Sequence, residues 1–144
     1  PDEHILRALT RQLGLENEVL FTGFLSERPV LMALYERADL MVFPSLYDNA
    51  PMVVREAAVM GTPAVLVEGS CSAEGIVNDE NGYLCRNSPE AIAQTIAHAL
   101  PTAKAAGRAA QATIPIPWNR LMLDVEARYQ ALIQARQRGT VHEA

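Results

Sequence analysis

Lysine is nearly absent from this chain: Lys104 is the only one, and the rest of the basic charge is arginine. The formal net charge is −5. An acidic chain gains nothing from counterion release on a polyphosphate, which argues against a nucleic-acid partner. Cysteine is scarce too. Cys71 and Cys85 form no C-x-x-C pair, and no histidine cluster accompanies them. That argues against a metal site and a disulfide framework, and it suits a reducing cytosol. No apolar run approaches the ~18 residues of a membrane span. No G-x-G-x-x-G turn is present, which a dinucleotide-dependent oxidoreductase would need. Pro1-Asp2-Glu3-His4 is no signal peptide, and a start on Pro without Met reads as an internal segment or a processed product.

What is present suits one core. The chain has 144 residues, 49% of them hydrophobic and 20% charged, enough apolar mass for a single domain and too much for disorder. Helical and short apolar segments alternate. Asp2 is placed to cap a helix reaching about Leu13, with Ile5, Leu6, Leu9 and Leu13 on one face and Gly14 as the stop. Residues 19–24 read as a strand. Ser26 is placed to cap the next helix, with Pro29 in its first turn and Leu31, Leu34, Tyr35 and Ala38 on one side. Residues 40–43 form a wholly apolar run, as in a buried parallel strand.

Pro51 then opens a helix that Gly61 ends. Residues 63–67 are a second buried strand, and a helical turn follows near residues 73–77. Asn81-Gly82 turns into the strand Tyr83-Leu84-Cys85. Ser88-Pro89-Glu90 starts a helix with Ile92, Ile96 and Leu100 as its buried stripe. An alanine-rich helix covers about residues 102–112, and 114–117 are extended before two prolines. A closing helix spans 117–136, with Leu121, Met122, Val125, Tyr129, Leu132 and Ile133 on one face. Residues 139–144 are a tail. Met41, Met52 and Met60 read as core filling, Trp118 as a packing anchor, and His4, His98 and His142 as surface residues. This alternation predicts an α/β fold with a Rossmann-like parallel sheet, as one domain over 1–144.

The segment that can carry chemistry is Phe43-Pro44-Ser45-Leu46-Tyr47-Asp48-Asn49-Ala50-Pro51-Met52-Val53-Val54-Arg55-Glu56. It leaves the C-terminal end of a buried strand, where ligands bind in open α/β sheets, and enters a helix whose first N–H groups suit phosphate. Asp48 and Glu56 flank that entry with seven residues between them. Carboxylates accept paired hydrogen bonds from the vicinal diols of a ribose or hexose. The ordinary reading of Asp48 is a turn or cap residue, and of Glu56 a surface residue favoured by the helix dipole. The residues alone permit a sugar-and-phosphate site without requiring one.

Several blocks, in register, carry a resemblance. Val19-Leu-Phe-Thr-Gly-Phe24 is similar to a V-x-F-x-G strand. Leu34-Tyr-Glu-Arg-Ala-Asp39 with Met41-Val-Phe-Pro-Ser45 is similar to L-Y-x-x-A-D…P-S, and Glu56-Ala-Ala-Val-Met-Gly-Thr-Pro63 to E-A-x-A-x-G-x-P. Glu74, Asn81-Gly82, Trp118 and Tyr129 continue the series. The chain thus resembles the C-terminal, donor-binding domain of retaining GT-B glycosyltransferases of the family-4-like, group 1 kind, many of which act in bacterial polysaccharide and glycolipid synthesis.

The resemblance implies transfer of a hexose, with retention, from a nucleoside-diphosphate sugar to a glycan or lipid-linked acceptor, with no cofactor and no metal. It implies that Asp48 faces the donor hexose and Glu56 binds the ribose. The backbone of Asn49, Ala50, Pro51, Met52 and Val53 would hold the diphosphate and sugar, and Phe24 would lie near the nucleobase. It implies a cytoplasmic enzyme, peripheral at the inner membrane face.

The sequence departs from the family pattern in three ways. The first acid is Asp rather than Glu, and Pro51 stands where a glycine is usual. The usual opening strand, helix and strand, with their Gly-Arg pair and Lys, have no counterpart, and neither has the N-terminal acceptor domain. The expectation is therefore a partial domain, inactive alone, lacking strands one and two of the order 3-2-1-4-5-6. Residues 19–24 would then pair directly with 40–43, or a second copy would fill the gap as a homodimer.

Two other readings are open. A phospho-receiver domain fits poorly, because residues 40–43 end on Phe43-Pro44 instead of an Asp and no later Lys matches. A non-catalytic sugar-nucleotide-binding or interaction module would keep the fold without turnover.

Overall fold

The structure is a computed structural model that describes residues 2–48 and 51–140, with side chains through 137. By its contacts the chain divides into two compact units, Pro1–Leu31 and Met32–Ala144.

In the first unit, α1 spans Glu3–Gln12. Asp2 stands at its N-cap, but the carboxylate makes no cap bond. Its carbonyl instead accepts from the N–H of Ile5 and Leu6 at 3.0 and 3.1 Å. Glu3 and Arg7 pair one turn apart at 2.7 Å, and Gly14 takes the left-handed φ of +68° that ends the helix. The expected strand over 19–24 is absent. The Val19 N–H is taken locally by the Leu15 carbonyl at 3.0 Å, and Gly23 turns the chain with φ +62°. A lone extended run has no ladder to stabilise it, and here only Phe21 is anchored, under the Arg7 guanidinium at 4.5 Å. Ser26 is not the next cap either. Helix α2, Arg28–Arg37, begins where the Glu27 carbonyl accepts from Val30 and Leu31.

The second unit is built on three parallel strands: β1 Met41–Phe43, β2 Ala64–Val67 and β3 Tyr83–Cys85, in the order β1-β2-β3. Met41 pairs with Ala64 and Phe43 with Leu66, and Val65 pairs with Tyr83 and Val67 with Cys85. β2 is buried throughout, and its alternation divides the core. Val65 and Val67 pack with Tyr83, Cys85, Ala99 and Ala106. Ala64 and Leu66 pack with Val54, Met41 and Phe43.

The helices α3 Met52–Val59, α4 Pro89–Ala99, α5 Ala103–Thr113 and α6 Trp118–Thr140, with the second half of α2, complete the unit. Ser88 caps α4 by accepting from the Ala91 N–H at 3.1 Å, with Pro89 in the first turn. Tyr83, fully buried on β3, satisfies its hydroxyl on Thr102 Oγ1 at 2.9 Å and the Ala99 carbonyl at 3.3 Å, so the polar atom adds no unpaired group to the core. No helix among the described residues is long and apolar enough to cross a membrane.

Some expected contacts fail. The sheet among the described residues has three strands, and 19–24 is not one of them. Leu100 does not belong to the buried stripe of α4 but starts a short 3-10 turn, Leu100–Thr102, and is 51% exposed. Met52 is exposed and fills no core. Trp118 anchors nothing, at 76% exposure, and the apolar row of α6 lies largely in solvent.

The tightest helix contact sets the seat of α5. Ala103, Ala106, Gly107 and Ala110 are its buried residues, a face small enough for close approach. A Cβ on Gly107 would stand 1.9 Å from the Gly61 carbonyl oxygen, in the turn after α3. Gly107→Ala must push two backbones apart, and we expect it to cost about 1–3 kcal/mol of stability, read as a lower urea midpoint. An unchanged midpoint would show that α5 does not pack this closely.

Candidate functional site

Loops leave the C-terminal ends of β1 and β2 side by side, because the two strands are parallel and in register. The first loop runs from Pro44 to Pro51. Leu46, Tyr47 and Asp48 are exposed, while Pro51 is buried. Asn49 and Ala50, two of the expected donor-binding residues, lie outside the described residues. After β2 comes the 3-10 turn Cys71–Ala73. Ser72, 4% exposed, donates its hydroxyl to the Asp48 carbonyl at 3.4 Å. This long bond ties the backbone of Asp48 to the neighbouring loop and leaves the carboxylate in solvent.

The ordinary fate of an Asp before a helix is to cap it. That is not what occurs here. Pro51 holds the N-cap of α3 with no side-chain cap bond, and the Asp48 carboxylate makes no hydrogen bond to a described residue. The Val54 N–H returns to the Pro51 carbonyl at 3.2 Å. The N–H groups of Met52 and Val53, the first two of the helix, have no backbone acceptor among the described residues. Because Pro51 sits at the cap, one residue earlier than the sequence suggests, it removes no donor from this first turn.

Glu56 is the fifth residue of α3 and is half-buried. Its charge is felt by a residue that the sequence reading placed only in a packing face. The Tyr35 phenol is pushed above its ordinary pKa, first by burial and second by the Glu56 carboxylate. The L-Y-x-x-A-D block contained this tyrosine, but no spacing rule links position 35 to position 56. Ser72 carried no signal at all. Phe24 is 94% exposed and belongs to the first compact unit.

A cavity of about 190 Å³ adjoins α3 on the face of Pro51, Val54 and Arg55, closed by Ser72, Glu74 and Ile114 among others. Of the described site residues only Pro51 lines it, and neither carboxylate does. Asn81 braces its wall. The sequence reading made this residue a turn former, yet it is 3% exposed. Its Oδ1 accepts from the Val77 N–H at 2.7 Å, and its Nδ2 donates to the Gly75 carbonyl at 3.1 Å and to Thr113 Oγ1 at 2.9 Å. Gly75 and Thr113 both line the cavity. Beyond it, His98 reaches the left-handed Asp79 at 2.8 Å on the surface. Cys71, exposed, also lines the cavity. Cys85 is buried, its thiol pushed up by desolvation. Asn81→Leu removes three hydrogen bonds made by a buried side-chain amide, and we expect a loss of about 1–3 kcal/mol in chemical denaturation. Wild-type stability would mean that water replaces these bonds freely.

Known proteins resemble this chain in sequence and in fold. Residues 1–114 match the family model described as glycosyl transferases group 1. A GDP-mannose-dependent alpha-(1-6)-phosphatidylinositol dimannoside mannosyltransferase of Mycobacterium tuberculosis is 32% identical over 91 residues, covering 63% of this chain and 24% of the relative. This chain thus spans about a quarter of that protein's length. Sucrose-phosphate synthase of Thermosynechococcus elongatus superposes with a TM-score of 0.77 at 23% identity, over 93% of this chain and 35% of that one. The Anabaena protein HepE, solved in complex with UDP, superposes with a TM-score of 0.65 at 26% identity, over 77% of this chain and 32% of that one.

Proposed function

The chain belongs to the glycosyl transferases group 1 family, and from that premise we propose that it supplies the donor site of a retaining hexosyltransferase. The donor is a nucleoside-diphosphate sugar, and the acceptor a hydroxyl of a glycan or glycolipid. The observation that carries the reading is the start of α3, where the Met52 and Val53 N–H groups have no backbone acceptor among the described residues and Pro51 provides no side-chain cap. An exposed carboxylate, Asp48, stands before it, and a half-buried one, Glu56, stands within it. The N–H groups and helix dipole receive the diphosphate. Glu56 grips the ribose diol, and Asp48 the hexose hydroxyls. Asn49, Ala50 and Pro51 shape the loop between, and Phe24 serves the base.

Support comes from the HepE complex with UDP and from the GDP-mannose dependence of the mycobacterial relative. In the reaction the anomeric C–O bond to the diphosphate breaks, and a bond from the acceptor oxygen forms on the same face. The acceptor proton passes to the departing phosphate oxygen, so no enzyme nucleophile and no cofactor is required. The proposed setting is the cytoplasm, with the enzyme peripheral to the membrane when the acceptor is a lipid.

Two measurements decide the proposal. Glu56→Ala removes charge-assisted bonds worth roughly 1.5–3 kcal/mol, so calorimetry with UDP and GDP on the intact protein should show affinity reduced at least ten-fold for the nucleotide that binds. Undiminished affinity would remove Glu56 from the site. Anomeric NMR of the first-formed product should show the donor's configuration kept. Inversion would refute the same-face mechanism.

A further inference from the structure

The donor carboxylates leave the cavity beside α3 unused. Three stretches of chain build it: Val54 and Arg55 come from α3, Ser72 and Glu74 from the turn after β2, and Ile114 and Ile116 from the run that follows α5. It is braced. The buried Asn81 amide donates to the Gly75 carbonyl and to Thr113 Oγ1, and so ties two of the cavity walls together. A hollow held open before a ligand arrives loses less entropy on binding. Its volume of about 190 Å³ equals that of about six waters at ~30 Å³ each, which suits a single sugar-sized ring.

The lining is chemically mixed. Val54, Ile114 and Ile116 are apolar. Arg55 is half-buried and Glu74 exposed. Among the described residues neither of these side chains makes a hydrogen bond or ion pair, with the other or elsewhere. A guanidinium partly withdrawn from water gains from an acceptor, and its planar fork matches the oxygens of a phosphate. A carboxylate accepts from hydroxyls. Ser72, 4% exposed, reaches the Asp48 carbonyl only at 3.4 Å, past the usual length of such a bond, and its oxygen can accept from a ligand as well. A bare anion would meet Glu74, and a neutral sugar would leave Arg55 unpaired.

We propose that this cavity is a second ligand site, distinct from Asp48 and Glu56, and that it takes a phosphorylated monosaccharide. The phosphate pairs with Arg55, the ring hydroxyls meet Glu74 and Ser72, and the C–H face of the ring lies on Val54, Ile114 and Ile116. Glu74 stands in solvent, where its charge is well screened, whereas Arg55 is screened less and sets the sign of the ligand. The assignment does not depend on nucleotide binding at the start of α3.

Cys71 can report occupancy, because it is exposed and lines the cavity while Cys85 is buried. Alkylation of Cys71 by iodoacetamide in the intact protein is followed by peptide mass spectrometry. Glucose 6-phosphate, mannose 6-phosphate and glucose 1-phosphate are each added at millimolar concentration. At least one should slow the reaction about five-fold, the protection expected at a few times Kd. Inorganic phosphate, glucose, serine and UDP at the same concentration should protect much less. Arg55→Gln should abolish the protection and Glu74→Gln should weaken it, each judged against its own rate without ligand. No protection by any of the three sugar phosphates would overturn the proposal. So would equal protection by inorganic phosphate, by the zwitterion serine or by UDP, or undiminished protection in Arg55→Gln. The wild-type comparisons decide even where Arg55→Gln does not fold.

Discussion

Both edges of β2 are hydrogen-bonded and both of its faces are covered, and everything around the site takes its place from that strand. Its four residues pair with Met41–Phe43 on one side and Tyr83–Cys85 on the other. Ala64 and Leu66 seat Val54 of α3, and Val65 and Val67 face Ala99 and Ala106 of the helices after β3. A strand so enclosed cannot slip by one residue without reversing every side chain. The ends of β1 and β2 are therefore level, which brings Ser72 within reach of the Asp48 carbonyl and sets the start of α3 at the open edge.

That geometry gives meaning to a modest electrostatic arrangement. The chain is acidic overall, yet the α3 N-terminus offers a local positive potential that no side chain of its own neutralises. An Asp usually closes such an end. Here Pro51 occupies the cap and the Asp48 backbone is tied to Ser72, so the Asp48 carboxylate does not close the helix end. A ligand carrying both phosphate and hydroxyls satisfies both kinds of group at once, and neither a simple anion nor a simple sugar does.

The sequence made the second unit legible and the first one less so. Residues 40–43 and 63–67 were wholly apolar, and the structure builds strands there because each meets a partner on at least one edge. Residues 19–24, with Thr22 and Gly23 among their apolar side chains, join no sheet among the described residues, and a strand is a property of pairs. The Asp48…Glu56 spacing was visible because it lies within one local segment. The links from Ser72 to Asp48, Thr62 to Tyr35 and Asn81 to Thr113 span 24, 27 and 32 residues, and no periodicity records such contacts. Trp118 misled because a large aromatic at a helix start ordinarily packs, whereas α6 meets little of this chain.

The contact between Gly107 and the Gly61 carbonyl constrains what substitution can explore. Gly61 is held in a left-handed conformation and Gly107 against its oxygen, so no single codon change at 107 is accommodated where the helix now lies. Divergence there must wait for α5 to withdraw, and α5 carries Thr113, the partner of Asn81. Drift can reshape the exposed Leu46 and Tyr47, while the seat of Gly107 against Gly61 acts as a ratchet that preserves the scaffold as the specificity above it changes.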